Sequence, residues 1–596
     1  MLPQNFYENK ITDLQKQLQQ LLQKKSLFGW LRFAVVVVLV AAIYILLPSG
    51  LLYVAAAAII LMIFFTRLLL IDLRNKANIE KTRYLININK DELKALAHDY
   101  YHFEDGLAHS PKEHLYSNDL DIFGRASLFQ YINRTASEMG SALLADWLLH
   151  PADTAILQQR QTAIKELAIE TEWRQQLQAL GKQKKIQTAT QQRLQNWLNE
   201  PKGFSSAKYW AWLRFVLPGI LLTILALNIA GIVPYQIRNM ALLVFAIIAY
   251  FIAKKVAPIH QYLSKIVSEL EVMAGSIELI EKLHCTTELL TGMQKQFLQK
   301  NYASSSALKE LKGIVEKLDL RLNPVVFIPL DVLLQWDLQQ VLALDKWKKK
   351  YHQHALQWFN MLAQFEALSS LATLSFNHPE WYFPVFKESH FFMQGKQIGH
   401  PLINVSKRVN NDIFINESGE IMLITGSNMA GKSTYLRSIG INVVLAMAGA
   451  PVCAESFTLS PVQIISSMRI SDNLEESTST FYAELKKLKT VIDLVNEGAK
   501  VFILLDEILR GTNSLDRHTG SVALLKQLIK KHAAGIIATH DVELAQLKET
   551  FPRNILNYHF DAQVSNNELY FDYKLKTGVC ESLNASILMK KIGIEL

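Results

Sequence analysis

Cysteine is scarce: three in 596 residues, at Cys285, Cys453 and Cys580, far apart and without a CxxC pair. That spacing argues against a disulfide framework and a thiolate zinc site, and a reducing compartment fits it best. Excess charge is small too. A formal net charge of +8 is too mild to select nucleic acid or anionic lipid as a partner. Charge is missing altogether from certain stretches. Residues 33–47 (FAVVVVLVAAIYILL) carry none, and 51–71 (LLYVAAAAIILMIFFTRLLLI) carry only Arg67. Residues 215–233 carry none over 19 positions, and 240–253 none over 14.

A helix needs about 20 residues to cross hydrocarbon. The second stretch has that length if Arg67 snorkels, and the first if residues 27–31 join it with Arg32 at the interface. Pro48-Ser49-Gly50 makes a turn between them. Trp210, Trp212, Tyr235 and Tyr250 lie near the ends of the later pair, where aromatic belts form. The pattern predicts two transmembrane helical hairpins, 27–72 and 210–256; buried core helices are the competing reading. Lys10, Lys16, Lys24, Lys25, Arg32, Arg74, Lys76, Lys81 and Arg83 flank the first pair. Lys202, Lys208, Arg214, Lys254 and Lys255 flank the second, and the short turns carry only Arg238. By the positive-inside rule both termini and the large polar parts face the cytoplasm. An integral protein of the inner (cytoplasmic) membrane is expected, in contact with the lipid bilayer. The long polar lead and the second span that follows at once argue against a cleaved signal peptide.

Residues 1–26 predict a juxtamembrane helix, with Ile11, Leu14, Leu18 and Leu21 on one stripe. Residues 73–209 and 257–375 are rich in helix formers and lack a sustained run of strands, which predicts one all-α domain in two parts. From 376 to 596 short apolar runs (421–424, 501–505, 535–538) alternate with helical stretches, the pattern of an α/β domain with a mainly parallel sheet.

Residues 421–434 read IMLITGSNMAGKST: an apolar strand, then Gly426-x4-Gly431-Lys432-Ser433, then a helical stretch. This is a P-loop pattern in its proper context. Gly426, Ser427, Asn428, Met429, Ala430, Gly431, Lys432, Ser433 and Thr434 are the candidate phosphate-binding residues. Glycine lets successive N–H groups converge on phosphate at a helix N-terminus. Lys432 would neutralise the β- and γ-phosphates of ATP and Ser433 would ligate Mg2+. The run 501–505 ends in Asp506-Glu507, where an acidic pair handles the metal and the attacking water: Asp506 for Mg2+, Glu507 for the water. His540, at the tip of the next strand, stands where a γ-phosphate sensor would.

These residues resemble the MutS family of DNA mismatch-repair ATPases, of the ABC type. TGSNMAGKSTYLR is similar to that family's TGPNMGGKSTY, with Ser427 for proline and Ala430 for glycine. DEILRGTNSLD (506–516) is similar to DEIGRGTST-D, with Leu509 for glycine and Asn513 for serine, and ATHDVEL (538–544) resembles ATH-x-x-EL. Ser479-Thr480-Phe481 resembles the family's STF signature, which implies that Ser479 and Thr480 reach a partner's nucleotide in a dimer. His400-Pro401-Leu402 with Asn411-Asp412 resembles the lead-in to the loop. Upstream, residues 127–151, with Met139-Gly140, Leu143-Leu144, Trp147-Leu148 and Pro151, resemble the start of the family's lever domain. Residues 366–372 resemble its end, with Glu366 where aspartate is usual. The resemblance implies an α/β P-loop (ABC-type) ATPase domain, an all-α lever and a dimer coupling hydrolysis to closure.

There are departures. Phe6-Tyr7-Glu8 matches the family's Phe-x-Glu wedge in letters, yet only about two dozen residues separate it from the first apolar stretch. A folded mismatch reader is therefore not expected. The second hairpin occupies the place of the family's DNA clamp. Two functions stay open: a membrane-anchored, dimeric ATPase acting on mismatched or branched DNA, or a membrane-remodelling or signalling ATPase without DNA recognition. Transport of a small solute is not expected, because two hairpins give few spans and no buried charge pair.

Overall fold

The computed structural model describes residues 2–200, 208–299, 302–427, 430–468, 480–565 and 568–580. The chain forms two compact units: residues 1–92, 135–140 and 172–366, and residues 93–134, 141–171 and 367–596.

In the first unit, α1 (Pro3–Leu46) and α2 (Leu51–Leu96) are antiparallel helices joined by a 3-10 turn at Leu47–Ser49. The expected juxtamembrane helix is not separate. Nothing between residues 1–26 and the apolar stretch breaks helix, so α1 runs through both. Arg32 pairs with Asp72 at 3.0 Å, and Asn75 Nδ2 donates to the Leu21 carbonyl at 3.0 Å. Beyond this clasp many apolar side chains are bare, Val40, Tyr44 and Leu52 among them, while Val35 and Leu68 are buried. On the polar side Tyr7, Leu14, Ile79, Ile86 and Asn89 are buried. They meet α3 (Thr171–Gln183), where the Asn89 and Gln175 amides pair at 2.9 Å.

Next come α4 (Thr188–Asn199), then α5 (Lys208–Ile229) and α6 (Tyr235–Leu263), which pack together as the second pair. Among the described residues four helices, α1, α2, α5 and α6, are long and apolar enough to cross a membrane. The rest of the unit is mainly helical, with α7 (Val267–Glu281), α8 (Ser304–Leu318), α9 (Pro324–Leu334), α10 (Trp336–Tyr351) and α11 (Ala355–Asn377), besides one short antiparallel ladder that pairs Leu298 with Ala303 and Gln299 with Tyr302. Trp347, Trp358 and Phe365 are among its largest buried side chains. Glu366 is an organising acid. Its Oε2 accepts from Ser137 Oγ (2.6 Å), Ser137 N (3.0 Å) and Ala136 N (3.3 Å), covering the start of the helix Glu138–Leu149. Burial raises its pKa, and the three donors oppose that rise. A Cβ at Gly140 would lie 2.2 Å from Glu366 Oε2, which is why glycine follows Met139.

The second unit is built on two sheets. The strands are β1 (Val385–Phe386), β2 (Met393–Ile398), β3 (Asn411–Ile415), β4 (Ile421–Thr425), β5 (Ser456–Leu459), β6 (Gln463–Ser467), β7 (Val501–Asp506), β8 (Ala534–Thr539), β9 (Ile555–Ser565) and β10 (Glu568–Thr577). The larger sheet has the order β10-β9-β4-β8-β7-β6, parallel except for the β9–β10 pair. β4, β7 and β8 are buried at every residue, as expected for strands covered on both faces. The smaller sheet, β1-β5-β2-β3, is mixed. The boundary expected at 376 lies at 366 instead. Residues 93–134 and 141–171, expected in the helical part, pack with the sheet: Ser466 Oγ donates to Asp119 (2.8 Å) and the Ala152 N–H to the Met447 carbonyl (3.3 Å).

Candidate functional site

Registry brings the site together. Thr539 of β8 is level with Thr425 of β4, and Ala538 is level with Asp506 of β7. Three neighbouring parallel strands therefore end side by side. Their next residues are Gly426, His540 and Glu507, at the carboxyl edge where ligands of open α/β sheets bind.

Gly426 has φ +141, and a Cβ there would stand 2.7 Å from the Phe560 carbonyl oxygen. Gly431, φ +102, is the N-cap of α12 (Lys432–Ala448). Both positions demand glycine. Lys432 is 2% exposed, and its Nζ donates to the carbonyls of Gly426 (2.7 Å) and Ser427 (2.8 Å), with His540 Nε2 at 3.5 Å. Burial lowers its pKa to about 8; Asp506 and Glu507 pull the other way. The Ser433 hydroxyl donates to Asp506 Oδ2 at 2.5 Å. Together these oxygens could hold a hard divalent cation such as Mg2+, and the donor chemistry fits. The Ser427 hydroxyl is buried with no hydrogen-bond partner, an orphan at the mouth of the loop that a phosphate oxygen would satisfy.

Glu507 is held on both sides. One carboxylate oxygen pairs with His540 Nε2 and the other with Arg510 Nε at 2.8 Å. These partners, His540 foremost, lower its pKa, so it is a carboxylate at neutral pH. It can accept from a water and orient it. Glu507 and Leu509 both have positive φ, +53 and +61. The turn after β7 thus needs the left-handed conformation where the resembling motif has glycine, and Leu509 costs it about 1–2 kcal/mol. Glu484 of α13 (Thr480–Asn496) secures that turn, accepting from the backbone N–H groups of Leu509 (2.5 Å) and Arg510 (3.1 Å).

A cavity of about 310 Å³ opens beside Gly431, Ser433 and Thr434; His400, Arg408, Phe560 and Tyr573 also line it. Burial, then the charges of Arg437 and Arg408, push His400 down to about 4, so its ring is neutral. Asn411 ties the cavity wall to the last strand: its side chain donates to the Tyr573 carbonyl and accepts from Leu575 N, both at 2.9 Å. A flat heterocycle fits the chemistry of this aromatic and cationic lining.

Of the residues expected from sequence, Gly426, Ser427, Gly431, Lys432, Ser433, Asp506, Glu507 and His540 converge. Ala430 is buried beneath the loop and Thr434 faces the cavity. Asn428, Met429 and Ser479 lie outside the described residues, and Thr480 opens α13. Sequence reasoning assigned no role to Arg510, Glu484, Arg408 or Tyr573. Arg510 lay inside a quoted motif, and its place three residues after Glu507 was the available signal.

Comparison with known proteins identifies a family. Residues 114–372 match the family model of MutS domain III and residues 422–591 that of MutS domain V. The chain belongs to the MutS family. It is similar to the DNA mismatch repair protein MutS of Thermotoga maritima, 31% identical over 252 residues, 41% of this chain and 31% of that protein. It is also similar to the human MutS protein homolog 4, 33% identical over 245 residues (39% of this chain, 25% of that protein). A third relative is the DNA mismatch repair protein MSH3 of Candida glabrata, 31% identical over 259 residues (41% and 25%). The alignments thus span less than a third of each relative's length. The positive-φ turn at Leu509 and the capping carboxylate of Glu366 give physical reasons for two of the MutS motif positions.

Proposed function

We propose that this protein is a membrane-anchored MutS-type ATP hydrolase that uses Mg2+, works as a homodimer through its α/β unit, and acts on mismatched or branched DNA in a repair-type role. One observation carries the enzymatic part: three adjacent strand ends bring Lys432, the Ser433–Asp506 pair and the Glu507–His540 pair to one edge. Lys432 exchanges the loop carbonyls for the β- and γ-phosphate oxygens. Ser433 and Asp506 would hold a magnesium ion, whose charge would offset that of the phosphates. Glu507 orients water for attack, and His540 positions Glu507 and senses the γ-phosphate. The cavity at Tyr573 receives the base. Ser479 and Thr480 complete the partner's site, and the helical unit carries closure onward as a rigid body.

The exposed apolar faces of α1, α2, α5 and α6, flanked by lysine and arginine, support anchoring in the cytoplasmic membrane with both termini inside. Family membership and the names of the mismatch-repair relatives support DNA as the partner, and no small solute is moved. The deciding experiment compares binding of the purified full-length protein to mismatched, branched and plain duplex DNA across salt concentrations, with and without ATP. Preference for the distorted duplexes, weakening with salt, is the expected result. Failure to bind any of the three near physiological salt overturns the DNA role. Failure to consume ATP overturns the proposal.

A further inference from the structure

Helix α9 reads PVVFIPLDVLL, with Asp331 its one charged residue. Asp331 is turned inward and is the helix's one buried residue. Val325 is 83% exposed and Ile328 58%, and Leu322, just ahead of the helix, is bare as well. An apolar helix of about this length is a core helix or one set partly into a membrane. Those exposures exclude the core.

Its neighbours say where it lies. α9 packs against α5 and α6, the second apolar pair. Arg321, at its entry, donates through Nη2 to the Ala253 carbonyl at 2.7 Å and approaches Asp337 with Nε at 3.5 Å. Ala253 is the last residue of the apolar stretch in α6; Lys254 and Lys255 follow. The tie thus fixes the start of α9 at the level where the second pair leaves hydrocarbon. At Gln335, φ +50, the chain turns by 77° into α10, whose Leu338, Val341, Leu344 and Trp347 are buried. Trp336 stands at that corner, with its indole N–H donating to the Lys317 carbonyl at 2.9 Å. Eleven residues of helix reach about 16 Å, roughly half of a bilayer core.

We propose that α9 is a fifth lipid-embedded element, a half-span in the leaflet through which α6 leaves the membrane, with Val325, Val326 and Ile328 against acyl chains. This rests on the reading that α5 and α6 cross a bilayer. Continuity with that pair, with no polar side chain on the exposed face, selects lipid over a second copy or a soluble partner.

Nitroxides at Val325→Cys and Ile328→Cys test it, in full-length protein in liposomes with Cys285→Ser and Cys580→Ser; Cys453 is buried. Leu222→Cys on α5 and Lys349→Cys on α10 are the references. Collisions with oxygen at 325 and 328 should exceed those with a water-soluble nickel chelate by roughly tenfold, as at 222 and opposite to 349, because hydrocarbon excludes the chelate. Aqueous behaviour at 325 and 328 with lipid behaviour at 222 overturns the α9 assignment alone. Shielding from both reagents at 325 and 328 overturns it in favour of a protein cover. Aqueous behaviour at 222 overturns the hairpin reading and this inference with it.

Discussion

Raising the pH should loosen the grip on nucleotide far earlier than an ordinary lysine would allow. Lys432 is 2% exposed and burial brings its pKa to about 8. The groups facing it are Asp506, Glu507, Cys580, Arg510 and His540. Nucleotide phosphates bind the ammonium form. Affinity is therefore full below pH 8 and falls as pH rises through 8, rather than through the 10.5 of an ordinary lysine. About nine-tenths of free sites carry the charge at pH 7 and about one-tenth at pH 9, a loss of about tenfold, or about 1.4 kcal/mol. The assay is equilibrium binding of a non-hydrolysable ATP analogue to the full-length protein in nanodiscs at both pH values. Phosphate contributes little over that range, since its last proton is lost near pH 6. Lys432→Arg keeps its charge throughout and should not show the fall. Cys580→Ser, run in parallel, removes the one thiol among the facing groups. A change below about twofold in the wild type, or the same tenfold loss in Lys432→Arg, refutes the reasoning.

Glu507→Gln should bind nucleotide with near-normal affinity and lose about 10²- to 10⁴-fold in steady-state turnover; wild-type turnover would remove Glu507 from the water-orienting role. Glu366→Ala leaves the Ala136 and Ser137 N–H groups without their acceptor and should cost about 1–3 kcal/mol, read as a lower thermal midpoint or faster proteolysis of the helical unit. An unchanged midpoint would show that another group covers those donors.

The parts legible in sequence were those whose chemistry is contiguous. Residues 421–434 hold strand, loop and helix start in one run, and 501–507 hold a buried strand with its acidic tip, so charge and periodicity sufficed. Tyr573 was not legible because it reaches the site only through the β9–β10 pairing, about 140 residues downstream of the P-loop. Glu484 lies on a helix of ordinary amphipathic pattern, and only the fold aims its carboxylate at the Leu509 turn. The smaller sheet escaped notice because its strands are two to six residues long and interleave with β4 along the chain. α9 was hidden by Pro329 and Asp331, which interrupt an apolar run already too short to read as a span.

On the proposed reading that α1 and α2 cross a bilayer, their unbroken course leaves the first hairpin without a joint at the water line. A thicker or thinner bilayer would then tip the pair as one stiff body about the Arg32–Asp72 clasp. The polar arm from Asp72 to Glu92 is about 30 Å long, so ten degrees of tip swings its far end by about 5 Å. Such an arm would make membrane thickness a mechanical input to the helical unit.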